Sequence, residues 1–230
     1  MQRFIFEKRD GLYIIDLAKT MQQIREAIAI VKSTVASRKS ILFVGTKKQA
    51  KGVIQECAEM CGEFYVSERW LGGTLTNLTT IRQSVKKLER IEKQIAGGGE
   101  MLVKKELSML GKNLAKLERN LSGIRNMRRP PGLVIVVDPS HEHIAVAEAN
   151  KLNVPVMALV DTNCDPDPIQ HVIACNDDSL KSIKLIIQAL SDAAGEQKAA
   201  MRQAGMKDDE EEGEEGAMAT VEEDAEGAKQ

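Results

Sequence analysis

Aromatic residues are scarce in this sequence, and long hydrophobic runs are missing from it. Aromatic side chains make up only 3% of the 230 residues, so the core of any folded domain has to be aliphatic. No segment approaches the roughly 18 uninterrupted apolar residues that a membrane-spanning helix requires. The start of the chain also lacks the apolar stretch and the small-residue cleavage site of a secretory signal. The sequence therefore predicts a cytoplasmic globular protein with no membrane partner.

Cysteines are few, and their spacing does not define a site. Cys57 and Cys61 lie four residues apart on a predicted helix, which places both thiols on one face. Cys164 and Cys175 fall near the ends of predicted strands. The spacing is not that of a Cys-x2-Cys zinc knuckle, and free cysteine is often buried as a small apolar side chain. We expect core packing for the four cysteines, with a zinc site as the alternative.

Charges of opposite sign are separated along the chain, although the formal net charge is only -2. Residues 205–230 carry eleven acidic and two basic side chains, a net charge of -9. Residues 1–204 carry thirty basic and twenty-three acidic side chains, a net charge of +7. A basic body indicates a polyanionic partner. The acidic tail, rich in like charge and poor in apolar residues, is predicted to be disordered.

Short apolar runs alternate with helical patterns through most of the chain. The runs that are apolar at nearly every position lie at 41–44, 64–66, 133–137, 154–160 and 171–175. The helical patterns lie at about 17–35, 50–61, 140–152 and from 179 onward, after two short strands at 4–6 and 12–15. Strands without polar alternation are buried on both faces, and their alternation with helices predicts a parallel sheet. We predict a three-layer α/β domain of flavodoxin-like or Rossmann-like type, formed by residues 1–76 and 130–204.

Residues 77–129 follow a different pattern and interrupt the sheet domain. Apolar side chains recur every three or four residues on both sides of a glycine-rich segment at 96–100, which no helix would readily include. This pattern predicts an inserted antiparallel helical hairpin with a coiled-coil seam. The hairpin carries thirteen basic and five acidic side chains, a net charge of +8. Because a solvated coiled coil ordinarily mixes both signs, the imbalance indicates contact with phosphates.

An enzyme on such a fold would bind its ligand at the carboxyl ends of the parallel strands. Lys47 and Lys48 follow the run at 41–44, but neither Gly-x4-Gly-Lys-Ser/Thr nor Gly-x-Gly-x-x-Gly occurs there. Both lysines are still well placed to meet a phosphate, including one of RNA.

The segment 138–143 holds a carboxylate and two imidazoles, but its geometry argues against a metal site. His141 and His143 are two residues apart and would diverge on a helix. We interpret the segment as a helix start with Ser140 as its cap, and metal ligation is the alternative. No nucleophile arrangement is recognisable in the sequence. We therefore expect no catalytic activity, no cofactor and no metal.

Trp70 is the single tryptophan of the chain, and it lies just ahead of the hairpin. Gly72 and Gly73 follow it and allow a close approach of the backbone. Two roles are open for Trp70. It either fills the junction between the sheet domain and the hairpin or stacks on a base of RNA.

Several ordered motifs resemble the family of bacterial-type small-subunit ribosomal protein two. The segment 69–77, Arg-Trp-Leu-Gly-Gly-Thr-Leu-Thr-Asn, resembles the signature loop of that family. A second match comprises Pro131, the strand to Val137, Asp138, Glu142, Val146, Glu148 and Asn153-Val154-Pro155. Further matches lie at 4–6, 14–17, 43–47, 160–163 and 176–178. The likeness covers roughly residues 3 to 195.

The resemblance implies a non-enzymatic structural constituent of the small ribosomal subunit, which binds rRNA near the junction of head and body and supports assembly and translation. It also implies neighbouring small-subunit proteins as partners, including the large mobile one that binds messenger RNA. Together with the charge pattern, it leads us to expect RNA contacts from Lys47, Lys48, Arg69, Trp70, Arg82, Lys86, Lys87, Arg90, Lys93, Lys104, Lys105, Arg125, Arg128 and Arg129.

Two features depart from the family pattern. Family members usually carry a His-Phe-Gly-His element and arginines ahead of the Phe-Ile-Phe strand, and this sequence does not contain them. Ala174 and Cys175 replace the usual Pro-Gly before Asn176, so that turn is expected to differ locally. A flavodoxin-like nucleotide-binding protein or enzyme is the alternative function. A coiled-coil adaptor for another protein would explain the hairpin but not its charge.

Overall fold

Seven strands form two sheets in the part of the chain that the computed structural model describes, residues 1–96 and 104–227, with side chains described for 1–96 and 105–204. The strands are β1 (Ile5–Arg9), β2 (Leu12–Ile15), β3 (Ile41–Val44), β4 (Phe64–Val66), β5 (Leu133–Val137), β6 (Val156–Val160) and β7 (His171–Ala174). β1 and β2 pair with each other as an antiparallel ribbon. The other five form a parallel sheet in the order β4-β3-β5-β6-β7. This is the strand order of flavodoxin-like domains, as predicted.

The helices are α1 (Leu17–Ala36), α2 (Lys51–Cys61), α3 (Leu78–Ala96), α4 (Lys104–Leu121), α5 (His143–Lys151) and α6 (Leu180–Gly227). Side chains of α1, α2 and α6 pack on one face of the parallel sheet. α5, the segment 70–77 and the bases of α3 and α4 cover the other face. The predicted three layers are therefore present. Among the described helices, none is both long and apolar enough to cross a membrane.

Alternate residues of each central strand enter opposite cores. Phe43 and Ile135 pack with α1, α2 and α6, whereas their neighbours Leu42 and Val134 pack against α5 and the hairpin base. All four side chains are fully buried. This explains why the strands lack the polar alternation of a half-exposed sheet.

In the segment predicted to form the hairpin, α3 and α4 pack against each other, while the connecting residues 97–103 lie outside those described. The antiparallel hairpin itself stays a prediction. Ile81 and Leu121 are buried in the core beneath the sheet, so the hairpin base and the sheet domain share one core. Gly123 allows this approach, because a Cβ there would overlap the backbone oxygen of Tyr65. A coiled-coil supertwist and the division into separate domains stay predictions.

Two local predictions are wrong at their ends. The apolar spacing of residues 17–35 predicts one buried stripe along α1, but the stripe is buried only in its second half, since Leu17 is 73% exposed and Met21 is 53% exposed. α5 begins at His143 and not near Ser140, and it has no side-chain cap. Asp138 takes the local role expected of Ser140, because its Oδ1 accepts the N–H of His141 at 3.1 Å.

α6 continues up to Gly227, whereas the composition of the acidic tail predicts disorder. The side chains of residues 205–230 lie outside those described, so disorder of the tail stays a prediction.

Candidate nucleic-acid interface

One face of α3 carries a line of cations, which we call the α3 stripe: Arg82, Lys86, Arg90 and Lys93. Their spacing of four, four and three residues places them on the same side of the helix. All four are exposed, and no ion pair or side-chain hydrogen bond within the described residues engages them. The apolar face of α3 is buried on the other side. The stripe runs for roughly 16 Å along the helix axis, long enough to face several phosphates.

Further cations of α3 and α4 are exposed as well. Lys87, Lys105, Lys112 and Lys116 have no ion pair among the described residues. The side chain of Lys104 lies outside those described. Both hairpin helices therefore carry exposed cations without an ion-pair partner among the described residues, although Arg119 of α4 pairs with Glu68 at 3.8 Å.

Arg125, predicted to contact RNA, is instead paired within the protein. Its guanidinium donates to both carboxylate oxygens of Glu92, at 3.0 and 2.6 Å, and lies 3.6 Å from Glu89. The hydrogen bonds to Glu92 raise the pKa of Arg125 above its ordinary value. A bidentate pair of this kind ties the end of the hairpin to α3. The structure therefore gives no support to Arg125 as a phosphate contact.

Glu148 on α5 organises the segment 70–77, which we call the 70–77 loop. It is only 8% exposed. One carboxylate oxygen accepts the indole N–H of Trp70 at 3.1 Å and the N–H of Gly73 at 2.7 Å. The other oxygen accepts the N–H groups of Leu75 and Thr76 and the hydroxyl of Thr76, each at 3.0 Å. Burial alone would raise the pKa of Glu148, but these hydrogen bonds outweigh burial and lower it.

Trp70 is 7% exposed and belongs to the core that the sheet shares with the hairpin base. Of the two roles left open by the sequence, the structure supports filling of the junction. An indole ring held in this way cannot stack on a base without leaving the core. Arg69, its neighbour, is exposed and has no ion pair among the described residues.

Lys47 is enclosed by carboxylates at the carboxyl edge of the parallel sheet. Its ammonium lies 2.8 Å from Asp177, 2.5 Å from Asp178 and 3.2 Å from Asp138. Burial alone would lower the pKa of Lys47, but the hydrogen bonds to these carboxylates outweigh burial and raise it. The Lys47 ammonium is therefore already paired with carboxylates of the protein itself. Lys48 is exposed and unpaired within the described residues, so of the two lysines only Lys48 is available to a phosphate.

The same edge contains side chains with the spacing of metal ligands. Their ligand atoms lie within 4.8 Å of one another in two overlapping sets, Asp138 with Cys164 and Asp177, and Asp161 with Asp177 and Asp178. Oδ2 of Asp177 is buried without a hydrogen-bond partner among the described residues, and burial raises the pKa of this carboxyl. In the structure the Lys47 ammonium supplies the cluster with positive charge. These aspartates are far apart in the chain and are expected from their sequence to be turn residues after strands. They come together because the carboxyl ends of β5, β6 and β7 lie at one edge of the parallel sheet.

The four cysteines are free thiols, and each is buried, as expected for core packing. Burial raises the pKa of Cys57 to about 11 and that of Cys175 to about 12. Thiols with pKa values so far above neutrality remain protonated and unreactive.

Comparison with known proteins agrees with the fold and the motifs. Residues 1–197 match the family model described as ribosomal protein S2. The small ribosomal subunit protein uS2 of Protochlamydia amoebophila (strain UWE25) is 75% identical over 193 residues, which covers 84% of this chain and 71% of the relative. The protein of the same name from Chlamydia trachomatis serovar D is 62% identical over 193 residues, covering 84% of this chain and 68% of the relative. A match of this length and identity shows that the chain belongs to the ribosomal protein S2 family.

Proposed function

We propose that this protein is a non-enzymatic structural constituent of the small ribosomal subunit in the cytoplasm, where it binds rRNA and supports subunit assembly and translation. The observation that carries the proposal is the 75% identity, over 193 residues, to a protein named small ribosomal subunit protein uS2. Nucleotide binding is the weaker alternative, because the lysine nearest to a phosphate site after β3 is held by three carboxylates.

The unpaired cations of the hairpin support RNA as the ligand of this surface. A protein that neutralises phosphates with lysine and arginine gains affinity from the release of counterions, and the α3 stripe offers four such side chains on one face. We assign the principal RNA contact to the α3 stripe and Lys87, with Lys48, Arg69, Lys104, Lys105, Arg128 and Arg129 as further contacts.

The place of the protein in the subunit is a finer part of the proposal. Its motifs resemble those of a family located at the junction of head and body, beside the large mobile protein that binds messenger RNA. We propose the same location and the same neighbour for this chain.

Sedimentation of the tagged protein through a sucrose gradient tests this function. The protein is expected to travel with small ribosomal subunits and to stay with them after a wash at moderate salt. The same tag on an unrelated protein of similar charge serves as the control. A protein found only at the top of the gradient would contradict the proposal.

Removal of the acidic tail is expected to leave incorporation into the subunit unchanged. Deleting residues 206–230 removes eleven acidic and two basic side chains, so the remaining chain is basic and should bind non-specific RNA more tightly at low salt. Titration of labelled RNA at low and high salt measures the effect, which should shrink at high salt because the charges are then screened. Loss of the truncated protein from sedimenting subunits would show that the tail is itself a functional contact.

A further inference from the structure

A groove crosses the amino-terminal edge of the parallel sheet, opposite the edge that holds Lys47. Its volume is about 690 Å³, and its walls are the residues just ahead of β3, β5 and β6 together with Phe64 at the start of β4. Two segments distant in sequence meet here. One is the turn after α1, with Arg38 and Lys39, and the other is the segment that returns from the hairpin, with Arg128 and Arg129.

The charge of this groove is of one sign. All four of these cations are exposed, and within the described residues none has an ion pair or a side-chain hydrogen bond. No acidic side chain is among the described residues that line the groove. Elsewhere on the domain, cations do have partners, such as Lys32 with Glu196 at 3.0 Å. Four neighbouring charges without a counterion favour the binding of an anion.

The backbone that carries these cations is held in place. Gly132 donates its N–H to the carbonyl oxygen of Ser40 at 2.8 Å, which ties the two segments together. The stem of Lys39 lies against Gly132, since a Cβ on that glycine would stand 2.5 Å from Cβ of Lys39. Arg38 adopts a left-handed backbone with φ of 55°, a conformation that persists where the surroundings impose it. A prepared arrangement of charges reduces the ordering cost of binding.

We propose that this groove is a second RNA-contact surface, in which Arg38, Lys39, Arg128 and Arg129 contact the phosphates of a backbone segment. The inference rests on the proposed function for the class of ligand. It goes further by placing a contact at the amino-terminal edge of the parallel sheet, with two residues, Arg38 and Lys39, that belong to no sequence motif.

The proposed function favours RNA over an acidic protein segment, and the residues that line the groove fit a sugar-phosphate backbone. Three of the four cations are arginines, whose planar guanidinium matches phosphate oxygens. Ser40, Asn126 and Asn153 also line the groove and offer neutral hydrogen-bonding groups of the kind that contact phosphate and sugar. Asn126 also lines the adjoining cleft, which contains Glu59, Glu63 and Glu118, so the positively charged surface ends at the groove on this side.

The test compares two full-length double variants in binding to a transcript of small-subunit rRNA. Arg38→Gln with Lys39→Gln removes half of the groove charge, and Arg25→Gln with Lys181→Gln is the matched control. The control also removes one arginine and one lysine that are exposed and unpaired within the described residues. Arg25 lies on α1 and Lys181 on α6, and neither lines the groove. Binding constants are measured as a function of salt, and melting temperatures confirm that both variants fold.

For the groove variant we expect the slope of log affinity against log salt to become shallower by about 2, and binding at physiological salt to weaken roughly tenfold. The control variant should keep a slope close to that of the wild-type protein. If the groove variant fails to fold, Arg128→Gln with Arg129→Gln replaces it and is expected to give the same change.

The outcomes separate this inference from the proposed function. Wild-type protein that does not bind the transcript would contradict the proposed function itself. Wild-type binding with equal slopes for the groove and control variants would overturn the groove and leave the hairpin as the RNA site. A groove variant that binds the transcript normally but is lost from sedimenting subunits would also overturn the inference, because the groove would then hold a protein segment.

Discussion

Replacing Glu148 with alanine is expected to lower the free energy of unfolding by about 3 to 5 kcal/mol, because several buried donors lose their acceptor at once. The affected donors include the indole N–H of Trp70 and three backbone N–H groups of the 70–77 loop. The loop has no second carboxylate among its described hydrogen-bond partners. Urea unfolding measures the loss, and the fluorescence of the single tryptophan should shift to longer wavelength as Trp70 meets water.

Two further variants show whether the carboxylate acts as a clamp. Trp70→Phe removes only one of the five hydrogen bonds and should cost about 1 kcal/mol from that bond, apart from any change in packing. Glu148→Gln keeps one acceptor oxygen but presents an amide N–H to backbone N–H groups, so it should cost nearly as much as alanine. A loss below about 1 kcal/mol for Glu148→Ala would contradict the role of Glu148, since surface substitutions have effects of that size.

The contribution of Glu148 should also depend on pH. Because its pKa is lowered in the folded protein, the ionised carboxylate stabilises the fold at every pH above the ordinary pKa of a glutamate. This stabilisation is lost as the pH falls through the lowered pKa. The difference in unfolding free energy between wild-type protein and Glu148→Gln should therefore be large at neutral pH and shrink in acid. A difference that grows in acid would contradict this assignment.

Neutralising Lys86, Lys87 and Arg90 together is expected to make RNA binding markedly less sensitive to salt. If about five hairpin cations neutralise phosphates, log affinity should fall with log salt at a slope near -4, and the triple glutamine variant should bring that slope closer to zero by about 2 to 3. The three side chains are exposed and unpaired within the described residues. Their loss should therefore change the unfolding free energy by no more than about 0.5 kcal/mol.

A comparison variant with two cations removed lies on the sheet domain. Lys48→Gln with Arg69→Gln removes two exposed cations outside the hairpin and is expected to alter the slope less than the triple variant does. The opposite result, an unchanged slope for the triple variant and weakened binding for the pair, would move the RNA site to the sheet domain. The hairpin would then be an arm for docking another protein.

Much of the architecture was predictable because its causes are local. A strand buried on both faces has to be apolar along its whole length, and the runs at 41–44 and 133–137 are apolar at every position. The parallel order follows from alternation with helices. Boundaries were less predictable where polar groups compete for the backbone. Ahead of α5 the carboxylate of Asp138 accepts a hydrogen bond from the N–H of His141, and the helix begins later than the apolar pattern indicates.

The charge of the hairpin and the family motifs are properties of consecutive residues, so they can be recognised without coordinates. The cations that are available to a ligand cannot be recognised in this way, because the neutralisation of a cation depends on residues far apart in the chain. Lys47 meets Asp177 across 130 positions, and Trp70 meets Glu148 across 78. Both side chains were expected to contact RNA, and both instead contact carboxylates of the protein. Conversely, Arg38 was not expected to contact RNA, yet it faces one groove with Arg128 because the strands that follow these two residues are neighbours in the sheet. Composition and motifs thus establish the family and the sign of the charge, whereas folding brings distant carboxylates to some cations and leaves others open to solvent.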